Sequence, residues 1–231
     1  THSNKKVLNL SLNLTQGDNM KKINIWMVLI ISSLAILGSC AKDDDAASTT
    51  SSCATNTTAS GSITVGSETM SGVYLSPCYA GVSSMAGQQI FPSDTQSMIT
   101  TIVVTGDNAI SEETLIYTDT ACSTPSMTWK QGRSDFTLGS ASGSNYAVTY
   151  KDATVKILPS TDAAKSHMET FAASVNLDVT FAVGTETNVT SSQNTKYNLI
   201  YVTSTTVKTG DASDNATPSV LDSMVMTKAC E

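Results

Sequence analysis

Residues 20–40 read MKKINIWMVLIISSLAILGSC, and this stretch decides how much of the chain is left to fold. Lys21 and Lys22 place positive charge at its start, and residues 23–37 are apolar apart from Asn24, Ser32 and Ser33. As a helix that run of about 15 residues is roughly 22 Å long. A bilayer core is about 30 Å thick and takes about 20 apolar residues. The run is short for a permanent span and suits a cleaved targeting segment, with the lysines holding its start in the cytoplasm.

Leu37-Gly38-Ser39-Cys40 resembles the lipobox of bacterial lipoproteins. The resemblance implies lipid transfer to the Cys40 thiol, cleavage between Ser39 and Cys40, and acylation of the new amino terminus. Each buried CH₂ contributes about 0.8 kcal/mol, so two or more chains anchor stably. Ala41-Lys42-Asp43-Asp44-Asp45 follows and resembles the export signal of lipoproteins in some Gram-negative bacteria. A lysine followed by acidic residues there implies outer-membrane anchoring, with the cell surface favoured over the periplasmic face. Residues 1–19 are expected to be translated upstream sequence. Gln16-Gly17-Asp18-Asn19-Met20 can be back-translated with a ribosome-binding site ahead of ATG.

Cleavage before Cys40 leaves 192 of the 231 residues, enough for one domain plus a tether. Nine basic and 19 acidic residues remain, a formal charge of −10. That surface argues against nucleic-acid binding, which needs a basic footprint. Residues 41–62, AKDDDAASTTSSCATNTTASGS, hold almost no apolar side chain larger than Ala. They read as a flexible tether, residues 40–62, ahead of a domain at residues 63–231.

From Ile63 onward the pattern is that of strands. Segments 63–65, 72–76, 98–105, 114–118, 145–151, 154–158, 197–206 and 221–227 are rich in β-branched residues or alternate in polarity. The clearest alternation is Val175, Leu177, Val179, Phe181 and Val183 against Asn176, Asp178, Thr180 and Ala182, which predicts another strand. Residues 162–173 predict a helix. Ala164, His167, Met168, Phe171 and Val175 recur at helical spacing, after possible caps at Ser160, Thr161 and Asp162. The helix is expected to lie on the sheet or cover a barrel end. Sequential strands and one helix suit an all-β, up-and-down antiparallel barrel, with an open β-sandwich as the alternative. Ser71-Gly72-Val73-Tyr74 with Cys78, residues 117–122 (YTDTAC), the late helix and the closing Leu221-Asp222-Ser223 resemble lipocalin-like domains. Tyr74 stands where lipocalins usually carry Trp.

Four cysteines remain beside Cys40, and an oxidising envelope makes disulfides the expectation. Cys78 with Cys122 is the favoured pair, since both end strand-like segments, leaving Cys53 with Cys230. No metal site is expected: C-x-x-C is absent and His167 is the one histidine of the mature chain. No catalytic constellation emerges. His167 reads as a core or boundary residue, Glu112, Glu113 and Asp119 as solvated charges, and Met224 and Met226 as core. The N-x-Thr triplets at Asn56, Asn188 and Asn215 mean little in a bacterium. Trp129, Tyr117, Tyr146, Tyr150, Phe181 and Tyr201 either line a cavity or fill the interior. The sequence therefore points to a lipid-anchored, non-enzymatic barrel, without cofactor, that binds a small apolar ligand or a partner. The alternative is a structural or interaction lipoprotein with a filled core, acting through loops such as 81–89 and 139–144.

Overall fold

The computed structural model describes residues 55–190 and 193–230. A hairpin of β1 (Ile63–Val65) and β2 (Glu68–Met70) comes first. β3 (Val73–Leu75), β4 (Tyr79–Ala80), β5 (Ser97–Gly106), β6 (Ala109–Tyr117), β7 (Pro125–Ser142) and β8 (Asn145–Pro159) lead to the helix α1 (Asp162–Ser174). β9 (Thr187–Thr190), β10 (Thr195–Val202), β11 (Thr206–Thr209) and β12 (Met226–Cys230) follow.

Strand pairing is antiparallel throughout and, the first hairpin aside, follows chain order. β3 and β4 lie end to end beside β5, and β9 and β10 lie end to end beside β8. β12 pairs with β3 through Lys228↔Tyr74, closing eight strand positions into an up-and-down barrel. Closure removes the free edges that an open sandwich would leave. The predicted barrel with one short helix is what the chain forms.

Alternation sorts the side chains into inner and outer faces, and the inner face forms two apolar layers. In the lower layer Tyr74, Ile102, Val104, Ile110, Phe136, Val148, Tyr150 and Ile200 meet from strands all round the barrel. The β1–β2 hairpin plugs this end with Ile63, Val65 and Met70. Its turn depends on Gly66, whose φ is +64°. A Cβ at Gly66 would overlap the Tyr146 side chain, so the turn takes glycine on both counts. In the upper layer Met98, Ile116, Met127, Trp129, Val155 and Ile157 face Ala164, Met168 and Ala172 of α1. The helix starts where Thr161 Oγ1 accepts from the Ala164 amide at 3.0 Å, with Asp162 in the first turn. It ends as Asn176 turns left-handed, φ +55°, and the Leu177 amide donates to the Ala172 carbonyl.

Three expectations change. The alternating segment 175–183 is not a strand: it pairs with no neighbour and runs over the upper layer. Phe181 is buried there, with Leu177 and Val179 against it, while Asn176, Asp178 and Thr180 are exposed. Its alternation records one buried and one wet face, not a ladder. The last strand is Met226–Cys230, later than residues 221–227. The end of the expected flexible tether is also held down. Ser60 donates from its amide to the Val104 carbonyl, and the Ser62 amide donates to Asp107. Tether residues 40–54 lie outside the described residues.

Cys78 and Cys122 are joined, their Cα atoms 5.9 Å apart, within bridging range. The bond ties the β3–β4 junction to the β6–β7 loop across a separation of 44 residues. A loop of that size constrains the unfolded chain by about 2–4 kcal/mol. Cys78→Ala should therefore lower the urea midpoint by an equivalent amount, and reducing agent should act further on the variant only through the disulfide at Cys230. An unchanged midpoint in Cys78→Ala would remove the disulfide from the account of stability.

Candidate ligand site inside the barrel

Between the two apolar layers the inner face turns polar. Strand register sets Thr100 of β5 opposite Thr114 of β6, Glu112 opposite Gln131 of β7, and Arg133 opposite Asp152 of β8. Lys196 and Asn198 of β10 continue this belt beside Tyr150 and Val148. Each residue is placed by period-two alternation, helped by a bulge at Gly132/Arg133 that turns Arg133 and Asp152 to the same side.

Arg133 is the centre of the belt and only 6% exposed. Its Nε and Nη2 donate to Glu112 Oε2 at 2.9 and 2.7 Å, and Nη2 donates to Gln131 Oε1 at 3.0 Å. Nη1 donates to Asp152 Oδ1, and the guanidinium lies 5.1 Å from the centre of the Tyr150 ring. Burial alone would lower the Arg133 pKa; the Glu112 carboxylate outweighs it and holds the side chain charged. Burial raises the Tyr150 phenol, and Glu112 adds to that. The phenol oxygen accepts from Asn198 Nδ2 at 3.2 Å. Lys196 sits 3.7 Å from Asp152 and 2.5 Å from Asp214.

The belt inverts the usual pattern of exposure. Thr100, Glu112, Thr114 and Gln131 face inward yet are half-buried rather than sealed; the Glu112 side chain is 23% exposed. Their outward neighbours Thr101, Ser111, Glu113 and Lys130 are buried. Solvent reaches the belt because β11 stops at Thr209 and β12 begins only at Met226. Beside the upper part of β10 the loop 210–223 takes the place of a strand, held by a backbone bridge from Ser213 to Tyr197. Asp214 of this loop, exposed, reaches Lys196 at the mouth.

A second polar cluster lies outside, back to back with the belt. Glu113 accepts from Thr55 Oγ1 at 2.5 Å, from Thr57 Oγ1, and from Ser111 Oγ at 3.2 Å. Lys130 donates to Asn56 and to Thr57, and pairs with Glu186 at 2.9 Å. Lys130 and Lys156 together lower the Glu186 pKa against the effect of its burial.

Glu112 and Glu113 therefore never form a pair: adjacent strand residues point to opposite faces. Neither is a plain solvated charge, since Glu112 binds Arg133 and Glu113 is 1% exposed beneath Thr55 and Thr57. Asp119 instead organises its own loop, accepting from Ala121, Ser123 and Thr124; these bonds outweigh burial and hold it well below the usual carboxylate range. His167 is half-buried on α1, its Nε2 2.7 Å from the Gln89 carbonyl oxygen. Met224 and Met226 belong to the lower layer. Of the aromatics, Trp129, Tyr150 and Phe181 fill the two layers and Tyr146 packs on the lower one, while Tyr117 and Tyr201 point outward. Asn188 and Asn215 are exposed. Cys230 is disulfide-bonded. Its expected partner Cys53 lies outside the described residues, as do Ser39, Cys40, Lys42, Asp43, Asp44 and Asp45. Among the described residues no group of three or more His, Cys, Asp or Glu is placed to hold a metal, and no helix is long and apolar enough to cross a membrane. No family model and no curated protein matches the chain.

Two predictions follow from the belt and its mouth. Arg133→Met leaves Glu112 in the interior without its cation and Asp152 with Lys196 alone, a loss of about 3–5 kcal/mol for a broken buried pair. Urea unfolding of that variant should show it, and a change under 1 kcal/mol would mean that water already screens the pair.

Within the mouth loop Asp211 and Asp222 face each other, and Oδ1 of the first and Oδ2 of the second are buried without partners. Burial first, then the Asp211 charge, pushes the Asp222 carboxyl up to about 6 from 3.8. A raised acid stabilises the fold below its unfolded pKa, and that contribution is lost as pH rises through about 6. Amide exchange in residues 210–222, corrected for intrinsic rates, should therefore speed up between pH 5 and 7. Asp222→Asn should remove the dependence; a wild-type loop with equal protection at both pH values would contradict it.

Proposed function

We propose that this chain is a lipid-anchored outer-membrane binding module, non-enzymatic, whose barrel takes a small ligand. The observation that supports it is the solvent-reached polar belt inside a barrel otherwise filled with apolar side chains. A barrel serving only as a scaffold gains nothing from opening its wall at that level, and placing Arg133, Glu112 and Asp152 there costs desolvation. An apolar ligand alone suits the interior less well, because the hairpin β1–β2 and the helix α1 occupy both apolar ends. Anchoring rests on the lipobox at Cys40, and display at the cell surface on Lys42-Asp43-Asp44-Asp45. The second reading, an interaction lipoprotein, draws support from the β7–β8 hairpin, whose tip at residues 137–144 is exposed along its whole length.

Native mass spectrometry of the mature lipoprotein, extracted from the membrane in detergent, separates the two. A retained mass that is lost on mild heating supports the binding module. A bare polypeptide from several growth conditions supports the interaction lipoprotein. In the same strain Cys40→Ser should abolish palmitate incorporation; labelling that persists would refute the anchor.

A further inference from the structure

The charges and free hydrogen-bonding atoms of the belt restrict what it can hold. On Glu112, Oε2 takes both bonds from Arg133, and Oε1 has no partner among the described residues. The Gln131 carbonyl is committed to Arg133, which leaves its amide donors free. Thr100 and Thr114 hydroxyls, opposite each other on β5 and β6, are uncommitted as well. All four side chains retain exposure to solvent, and Trp129, in register with Thr114, bounds them toward the upper layer. The free set is thus one charged acceptor, one amide donor pair and two hydroxyls that serve either way.

Net charge on a ligand works against it here. Carboxylates of Glu112 and Asp152 flank the guanidinium of Arg133, so each sign of charge lies within a few ångströms of the other. An anion reaching for the free Gln131 amide would meet Glu112; Arg133 could not compensate, because two carboxylates already occupy it. A cation reaching for Glu112 Oε1 would meet the guanidinium that Oε2 binds. Like charges a few ångströms apart repel far more strongly in such a site than in bulk water. A neutral ligand whose hydroxyls donate to Glu112 and accept from Gln131 meets neither penalty, and the two threonines extend the same pattern.

We infer that the belt binds a neutral, polyhydroxylated small molecule, with Glu112, Gln131, Thr100 and Thr114 as its hydrogen-bonding residues. This rests on the reading of the barrel as a binding module and specifies the chemistry of its ligand.

The mature chain offers its own reporter, since cleavage before Cys40 removes Trp26 and leaves Trp129 as the one tryptophan. Trp129 emission of the mature lipoprotein, extracted in a detergent without a sugar headgroup, is followed while methyl α-glucoside, N-acetylglucosamine or sorbitol is added, and separately putrescine and citrate at matched ionic strength. A saturable change with at least one neutral polyol is expected, with putrescine and citrate weaker by tenfold or more. Gln131→Leu should weaken polyol binding at least tenfold. Thr114→Val, a smaller change that keeps the β-branched shape, should weaken it several-fold, and circular dichroism checks that both variants are folded. Binding of putrescine or citrate in preference to every polyol would overturn the inference, as would equal polyol affinity in both folded variants, or no saturable response to any probe. A charged or apolar mass retained in the native spectrum would overturn the neutral-polyol assignment and leave the binding module standing; a bare protein that also responds to no probe would remove both.

Discussion

A buried guanidinium is the constraint around which this barrel is arranged. Arg133 cannot shed its proton, so its position on an inner face obliges the neighbouring strands to bring acceptors to it. Glu112 from β6, Asp152 from β8 and Gln131 from its own strand do so, and Tyr150 offers the face of its ring. Each contact crosses to an adjacent strand or sits two residues along β7, so the network fixes register over three strands at once. A slip of one residue would carry Arg133 to the outer face and leave two carboxylates facing inward. The interior charge therefore specifies pairing as much as it stabilises it.

The same network explains why the apolar core is divided. Below the belt the barrel is closed all round, and the hairpin β1–β2 fills its end. Above it the wall lacks β11 and β12, and a helix, the 177–181 segment and Phe91 cover the inner face of β5 to β9. Asp94 fastens this cover. Its two oxygens accept from Ser126 Oγ at the start of β7 and from Thr161 Oγ1 at the cap of α1, at 2.6 and 2.8 Å. The belt lies where closed barrel gives way to covered sheet, which is the level at which water can enter from the side.

How much of this the sequence discloses depends on what each pattern reports. Apolar β-branched runs such as residues 98–105 and the helical stripe from Ala164 to Val175 mark elements whose inner face is apolar, and both were legible. β7 is the longest strand and was not. Its inward positions include Gln131 and Arg133, and Asp135 adopts φ +55° at a bulge, so neither alternation nor an apolar run survives. Segment 175–183 shows the converse: perfect alternation without pairing, because burial of one face is all that alternation measures. The favoured cysteine pair could be proposed because each residue ends a strand-like segment.

The belt was hidden for a related reason. Hydropathy treats Glu112 and Glu113 as one acidic spot, and Lys130, Gln131 and Arg133 as one polar stretch, whereas the strands send them alternately inward and outward. On β6 and β7 both faces carry charge: Glu112 and Arg133 inside, Glu113 and Lys130 outside beneath residues 55–57. A usable signal did exist. Charged residues of opposite sign recur on the inner faces of three consecutive strands: Glu112, Arg133 and Asp152, with Arg133 opposite Asp152 and two residues along β7 from the position opposite Glu112. Finding it needs the strand boundaries first, and β7 was the boundary missing. The two polar clusters are also held on the same backbone segments, so residues 55–57 are fastened to the outer side of the strands whose inner side forms the belt. A substitution at Glu113 or Lys130 therefore disturbs strands that position Glu112 and Gln131. Any effect on ligand binding from the outer cluster is to be read through that shared backbone rather than as direct contact.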